Sequence, residues 1–388
     1  MRISHLSIER FRLLSRESLD LAPGVNLLTG ANAQGKTSVL EAVAYLSTGR
    51  SFRASRDRET IASSSPPETP FAAIEATFES EASGAHDLRL AIERGKKTVW
   101  LDGKTLRTLT DLWGHLRTVL FVPSDLQVVQ GAPALRRSVM DGLLGQTDPA
   151  HLRTLAAAAK ALQNRNALLK RRASLKDPQF EAFEETLAEA AARVLIGRAR
   201  MARDLSADVE GPVAELTGGG ERVRLAYEPG FASGAGVKAE ELPTASPREL
   251  AERLRAWWAQ ARAGDAERFV TRDGPHRDDL RFEINGSDAR TYASQGQTRS
   301  CVLALRLAEV HLLWREGGEA PILLLDDILG ELDRQRSLKF LHLVADIGVQ
   351  TLITATDASM LEGILPVERR FVASGGKVAG FESSGPAV

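Results

Sequence analysis

The segment that most constrains this chain is Gly30, Ala31, Asn32, Ala33, Gln34, Gly35, Lys36, Thr37 and Ser38. From Gly30 to Thr37 it fits the pattern G-x-x-x-x-G-K-[ST] at every fixed position. A short strand pattern at 25–28 precedes it and a helical pattern at 36–48 follows, so the loop joins a strand to a helix. Phosphate binding requires that placement. Glycines let backbone N–H groups turn toward phosphate oxygens, and the helix N-terminus adds a favourable dipole. Lys36 is expected to reach the β and γ phosphates of ATP, and Thr37 to offer its hydroxyl to Mg2+. A chance glycine turn would satisfy the letters, but not the strand and helix on either side.

Two later segments extend this expectation. Ile322, Leu323, Leu324 and Leu325 read as a buried strand that runs into Asp326 and Asp327. A carboxylate at such a strand end lies beside the phosphates, so Asp326 is a candidate Mg2+ ligand. Asp327 would orient or deprotonate the attacking water, and it stands with Lys36 as a catalytic candidate. Ser294, Gln295, Gly296 and Gln297 open an amphipathic helical pattern at 298–314. A helix start of this kind is a second phosphate-binding device, although serine before a helix is more often a simple N-cap. The helix after Lys36 already serves the phosphates of its own subunit. The Ser294 segment is therefore expected to act in trans, on the nucleotide of another copy.

At 388 residues the chain exceeds what one core usually holds, and two lobes are expected. Strand-like patterns fall at 3–8, 25–28, 71–78, 88–92, 98–101 and 119–122, with Arg94, Gly95 and Lys96 as a hairpin turn. From about 134 the period becomes helical, with Leu152, Leu155, Leu162 and Leu169 in an alanine-rich stretch. Asp177 and Pro178 open a helix that runs to about residue 210, a short arm of ~45 to 50 Å. Gly218, Gly219 and Gly220 break the helical pattern beyond it, and a further helix at 247–263 carries Trp257 and Trp258, read as packing residues. Strand, loop and helix then alternate again from about 269, and the Gly- and Ser-rich tail at 375–388 is expected to be loose. The fold class is thus α/β: a P-loop ATPase head split in sequence into 1–130 and 266–388. A mainly helical lobe is inserted at 131–265, with no long coiled coil.

The only cysteine, Cys301, cannot form an internal disulfide, and the seven histidines are scattered, which excludes a zinc cluster. The chain has no secretory leader pattern and no apolar run of membrane-spanning length, so a cytoplasmic protein without a membrane partner is expected. The net charge is −1, so any DNA contact must come from local patches. Arg50, Arg53, Arg56 and Arg58 crowd together after the first helix. Between 151 and 176 there are seven cations and no acid: Arg153, Lys160, Arg165, Lys170, Arg171, Arg172 and Lys176. The candidate DNA contacts are Arg50, Arg53, Arg56, Lys170, Arg171 and Arg172, against the plainer reading of a solvated helix face. No base-reading motif is visible, so binding should be sequence-tolerant.

The order of these segments resembles that of ABC-type ATPases, in which two heads sandwich two ATP molecules. Finer marks narrow the family. Thr-Gly-Arg-Ser-Phe-Arg at 48–53, Phe-Val-Pro-Ser-Asp-Leu at 121–126, Gly-Pro-His-Arg-Asp-Asp-Leu at 274–280, Ala-Ser-Gln-Gly-Gln-Thr-Arg at 293–299 and Ile-Leu-Leu-Leu-Asp-Asp at 322–327 resemble the RecF family of bacterial recombination mediators. The resemblance implies a head like that of Rad50 and a slow DNA-dependent ATPase. It also implies an ATP-dependent homodimer on duplex DNA and at gapped or single-strand junctions, working with RecR to assist RecA loading at single-strand gaps. Two positions depart from the wider superfamily: Asp327 stands where glutamate is usual, and Gln295 where many relatives carry glycine. Thr354, Thr356 and Asp357 compete for the lid position, and Gln127 and Gln130 for the Mg2+-coupling glutamine. The alternative function is the ATP-hydrolysing subunit of an ABC transporter, which shares the segment order. The long insert between Lys36 and Ser294 is unlike a compact transporter motor. A chromosome-organising role is disfavoured by the lack of a long heptad region.

Overall fold

A computed structural model of the chain describes residues 1–63, 65, 68–327, 333–359, 361 and 363–381. The chain forms two compact units. The first comprises Met1–Asp125, Gly211–Gly220 and Arg299–Val388; the second comprises Leu126–Glu210 and Glu221–Thr298.

Arg2–Phe11 (β1), Leu14–Asp20 (β2) and Val25–Thr29 (β3) lead into the loop and Lys36–Thr48 (α1). Phe71–Ser80 (β4), Gly84–Glu93 (β5), Lys96–Leu101 (β6), Lys104–Thr105 (β7) and Thr118–Phe121 (β8) follow. Next come Leu126–Gln130 (α2), Pro133–Thr147 (α3), Pro149–Lys170 (α4), Pro178–Asp208 (α5) and Glu210–Thr217 (α6). After Val223–Glu228 (β9) and Pro247–Arg268 (α7) the chain forms Asp279–Ile284 (β10), Ser287–Asp288 (β11) and Ala289–Tyr292 (α8). Gln295–Gly317 (α9), Ile322–Asp326 (β12), Arg334–Ile347 (α10), Thr351–Ala355 (β13), Val367–Ser374 (β14) and Lys377–Phe381 (β15) close the described chain.

The first unit holds two sheets. One is antiparallel in the order β2-β1-β4-β5-β6-β7. Its alternation is plain in β4, where Ala72, Ile74, Ala76 and Phe78 are buried. The β5–β6 turn uses Arg94 and Gly95 at φ 50° and 78°, the two-residue turn that matches strand twist. The other sheet runs β15-β14-β3-β13-β12-β8, parallel from β14 to β8 with β15 antiparallel at the edge. Every residue of β12 and β13 is buried, which is why 322–325 reads as a continuous apolar run. Helix α1 touches strands of both sheets. All its residues except Thr37 and Thr48 are buried, so it forms the middle of the core.

In the second unit α4 packs on α5, and each begins with Asp-Pro, the aspartate capping the helix and the proline at its first position. The 31 residues of α5 span ~46 Å. Its buried face includes Leu187, Ala191, Val194, Leu195 and Ala202, and β9 of the small sheet β11-β10-β9 packs against it. Because β10 pairs with β9, this unit runs on to Thr298 instead of ending near 265. The tail also differs from expectation. Gly375 and Gly376 are the turn of the β14–β15 hairpin, and the Val378 N–H donates to the buried Glu17 carboxylate at 2.7 Å. The remaining tail, 382–388, lies outside the described residues. No helix among the described residues is long and apolar enough to cross a membrane.

Candidate functional site

Parallel pairing sets the site. Thr29 lies level with Ala355, and Asp326 with Thr354, so three neighbouring strands end at one edge. Loops at the C-terminal ends of parallel strands are where ligands bind in sheets of this type. The loop after β3 has φ 144° at Gly30, 61° at Ala33 and 108° at Gly35. A Cβ at Gly30 would stand 2.3 Å from the Ala373 carbonyl oxygen, so only glycine fits there. Gln34 Oε1 accepts the Gly375 N–H at 2.6 Å and ties the loop to the β14–β15 turn. The first turn of α1 carries no acid, so its positive end is available to an anion. Lys36 is 6% exposed and donates to the Gly30 carbonyl at 2.6 Å and the Ala31 carbonyl at 2.9 Å. The ammonium thus lies across the loop, against oxygens it can exchange for those of a phosphate.

The acidic strand end meets this loop directly. Thr37 Oγ1 donates to Asp326 Oδ1 at 2.8 Å, and Thr354 Oγ1 donates to the same oxygen at 2.9 Å. The Thr354 hydroxyl in turn accepts the Asp327 N–H at 2.9 Å. Burial pushes the Asp326 carboxyl up, with the Asp327 charge acting the same way, while the two hydroxyls and Arg53 oppose. Asp327 leaves the strand at φ 49°. A threonine hydroxyl beside a carboxylate suits a hard divalent cation completed by phosphate oxygens. No larger group of His, Cys, Asp or Glu that could hold a metal occurs among the described residues. Of the three residues weighed for a lid, Thr354 is a buried partner of Asp326. Asp357 binds the Ser359 N–H and hydroxyl, both at 2.9 Å.

Ser294, Gln295, Gly296 and Gln297 lie in the second unit, at the start of α9. Ser294 Oγ accepts the Gln297 N–H at 3.2 Å, and Gln297 Oε1 accepts the Ser294 N–H at 3.0 Å, a reciprocal capping box. The cap does not bury the motif, for Ser294 and Gln295 are exposed. Of the two glutamines left open, Gln130 donates to Thr298 Oγ1 at 3.2 Å, within the same unit.

The basic candidates differ in surroundings. Glu41 of α1 is fully buried and receives Arg12 at 2.6 and 2.9 Å and the Ser51 hydroxyl at 2.5 Å, with Arg53 at 3.8 Å. The 48–53 motif is therefore tied to the helix that follows the phosphate loop. Arg50 and Arg56 are exposed, as are Lys170, Arg171 and Arg172. Arg165, counted in the basic run, is corrected to a core residue. It is 0% exposed and binds Glu184 at 3.0 Å and Asp265 at 2.8 Å. The 274–280 motif is knotted around the buried Asp278, with Arg277 exposed. Asp278 accepts from Arg198 at 2.7 Å, from Gly230 N–H at 2.8 Å and from the Tyr227 hydroxyl, while Asp279 pairs with Arg136 at 2.6 Å. His276 meets the Thr271 carbonyl at 3.2 Å, and burial lowers its pKa. Trp258 is fully buried and Trp257 donates to Asp273, so both pack as expected.

The RecF/RecN/SMC N terminal domain model matches residues 2–373. The DNA replication and repair protein RecF of Chloroflexus aurantiacus is 39% identical over 97% of this chain and 99% of its own length. A solved structure of the recombination mediator protein RecF with ATP, in the RecFOR pathway, is 30% identical with a TM-score of 0.85, covering 98% of this chain and 97% of that one. An Smc head bound to the C-terminal winged-helix domain of ScpA shares the fold at a TM-score of 0.58 and 16% identity, over 99% and 98% of the two chains. The architecture is that of an ABC-type ATPase head, split in sequence and without a long coiled coil among the described residues. By fold and by near-full-length sequence identity, the chain belongs to the RecF family of DNA replication and repair proteins.

Proposed function

We propose that this chain is an ATP-driven switch that binds DNA. The observation that carries the reading is the hydrogen bond from Thr37 to Asp326, which joins the phosphate loop and the acidic strand end in one site. Residues 30–38 cradle ATP, the loop N–H groups and Lys36 holding its phosphates. Thr37 and Asp326 hold Mg2+, which supplies charge neutralisation on the phosphates when bound. Asp327 orients the attacking water and accepts its proton. Aspartate is one methylene shorter than glutamate, so turnover is slow.

Ser294, Gln295, Gly296 and Gln297 of one copy meet the ATP of a second, so ATP binding draws two heads together and hydrolysis releases them. DNA contact is sequence-tolerant, on duplex and at gapped junctions, and falls to exposed cations such as Arg50, Arg56, Lys170 and Arg172. The family relationship and the pathway named for the solved RecF support RecR as partner and assistance to RecA loading as the task.

Sedimentation tests the pairing in three states: without nucleotide, with ATP and Mg2+, and with both on Asp327→Asn. A monomer that becomes a dimer only with ATP, and more completely in the variant, is the expected result. An unchanged mass in all three states removes the sandwich and leaves Ser294 as a helix cap.

A further inference from the structure

The turn between α4 and α5 carries Lys170, Arg171, Arg172 and Lys176, all exposed, and the end of α7 adds Arg268 and Phe269. The two segments meet in one place, because Ala173 and Ala266 pack on the same cluster of Leu168, Leu169 and Phe180. There the Arg172 guanidinium lies over the Phe269 ring, 5.2 Å from its centroid. Both residues hold positive φ, 56° and 55°, a region that side chains seldom adopt. Phe269 nevertheless keeps 38% of its surface exposed, and Leu175 in the turn keeps 40%.

The charges in this unit divide into two kinds. Arg165 and Arg262 are neutralised by Glu184, with Asp265 also on Arg165. Arg171 reaches Asp177 at 3.4 Å. Lys170, Arg172, Lys176 and Arg268 make no ion pair among the described residues. Helix dipoles account for part of this, since Lys170 and Arg268 sit in the last turns of α4 and α7. A capping role does not call for an exposed phenyl ring, nor for a guanidinium laid on it.

A planar cation backed by a ring is a flat stacking surface. An unpaired base is flat and polarisable, and the strand that bears it is anionic. A duplex keeps its bases inside and offers this surface only phosphates. We propose that Arg172 and Phe269 form a single-strand site on which one unpaired base stacks, while Lys170, Lys176 and Arg268 hold flanking phosphates. The proposal rests on the DNA-binding reading above, and not on ATP-driven pairing.

The test measures binding by anisotropy, without nucleotide, of three probes: an oligothymidylate of about 15 nucleotides, an abasic strand of equal length, and a blunt duplex. Wild type should prefer the oligothymidylate over the abasic strand about tenfold, the scale of one stacked base. Arg172→Lys keeps the charge and loses the plane, and Phe269→Leu keeps bulk and loses the ring. Each should cut oligothymidylate affinity about five- to tenfold and erase the preference over the abasic strand, with duplex affinity changed less than about twofold. A wild type that binds both single strands equally, or an Arg172→Lys variant that keeps the preference, overturns the stacking site. So does an equal loss on the duplex, which marks a backbone contact common to single strand and duplex. Failure of wild type to bind any probe overturns the DNA-binding reading itself, a different outcome. Arg172→Lys removes no buried contact, so that variant alone decides between these outcomes even if Phe269→Leu does not fold.

Discussion

Carboxylates buried wholly or in part in this chain differ in what opposes their desolvation, and that difference makes the half-buried Asp141 testable. Burial raises the Asp141 carboxyl, but hydrogen bonds from His151 and Arg198, and then the Arg198 charge, outweigh it and leave the group below its ordinary value. Its partners are close: His151 at 3.0 Å and Arg198 at 2.9 and 2.8 Å. A lowered folded pKa means a stabilising contribution that is complete above the unfolded value, about 4, and is lost as pH falls through the folded value. Asp278, on the same Arg198, is raised by burial and contributes with the opposite sign. Urea midpoints measured from about pH 3 to pH 7 should therefore fall on the acid side in wild type. Asp141→Asn should start roughly 3–5 kcal/mol less stable at neutral pH and show a shallower acid limb. An unchanged limb would assign the acid loss to other carboxylates. The same scale shows what sequence can supply. Lys36, Thr37 and Asp326 are legible as candidates because strand-loop-helix context singles them out, and the structure brings Thr37 and Asp326 into contact. Thr354 is not legible as the partner of Asp326, because the strand register that sets them level is a long-range property. The partners of Asp278 are hidden for the same reason, being Arg198, Tyr227 and Gly230 from distant segments.

Among elements, legibility follows how completely one face is apolar. Helix α1 is readable to the residue, since nearly all of it is buried and a glycine stands at each end. Strand β12 is readable as an unbroken apolar run. Strand β2 escapes a reading by pattern, because its buried positions are Leu14, Glu17 and Leu19, and the buried glutamate breaks the alternation. Strand β14 carries Arg369 and Arg370 in its middle and gives little apolar signal. Helix α4 is legible as a helix, but its basic run misleads. Along the sequence Arg165 belongs with Lys170 and Arg172, whereas in the structure it faces inward against α5 and α7. Its guanidinium also donates to Thr271 Oγ1 at 2.7 Å, so it joins three elements and a loop. Arg165→Met would leave Glu184 and Asp265 buried without that cation. The expected cost is roughly 3–5 kcal/mol in chemical denaturation followed by far-UV circular dichroism. DNA affinity of the folded fraction should stay at the wild-type value. A variant of unchanged stability and weakened DNA binding would return Arg165 to the surface and contradict the packing of α4.

Over the whole molecule the charges nearly cancel, with a net of −1. Physiological salt screens beyond about 8 Å, so a polyanion meets individual surfaces and not the net charge. Any DNA affinity must then be the sum of a few phosphate contacts, each of which should lower the slope of log affinity against log salt by about 0.9 on duplex. The structure ranks the contributors. Arg172 makes no ion pair among the described residues, while Arg171 already meets Asp177 and Gln179 at 3.4 and 3.3 Å. Arg53 faces the buried Glu41 at 3.8 Å, while Arg50 and Arg56 stand exposed. Charge reversal at Arg172 should therefore weaken duplex binding and flatten the salt slope by about one unit. Reversal at Arg171 should do less on both counts, because part of its charge is spent on Asp177. Equal effects would mean that DNA pulls Arg171 from its partner at little cost. No effect from either would make the turn a solvated surface and move the duplex contacts to Arg50 and Arg56, beside the helix that follows the phosphate loop. In that case DNA and nucleotide would be read by one unit, and ATP should change the salt slope itself; if the turn carries the contacts, ATP should leave the slope per copy unchanged.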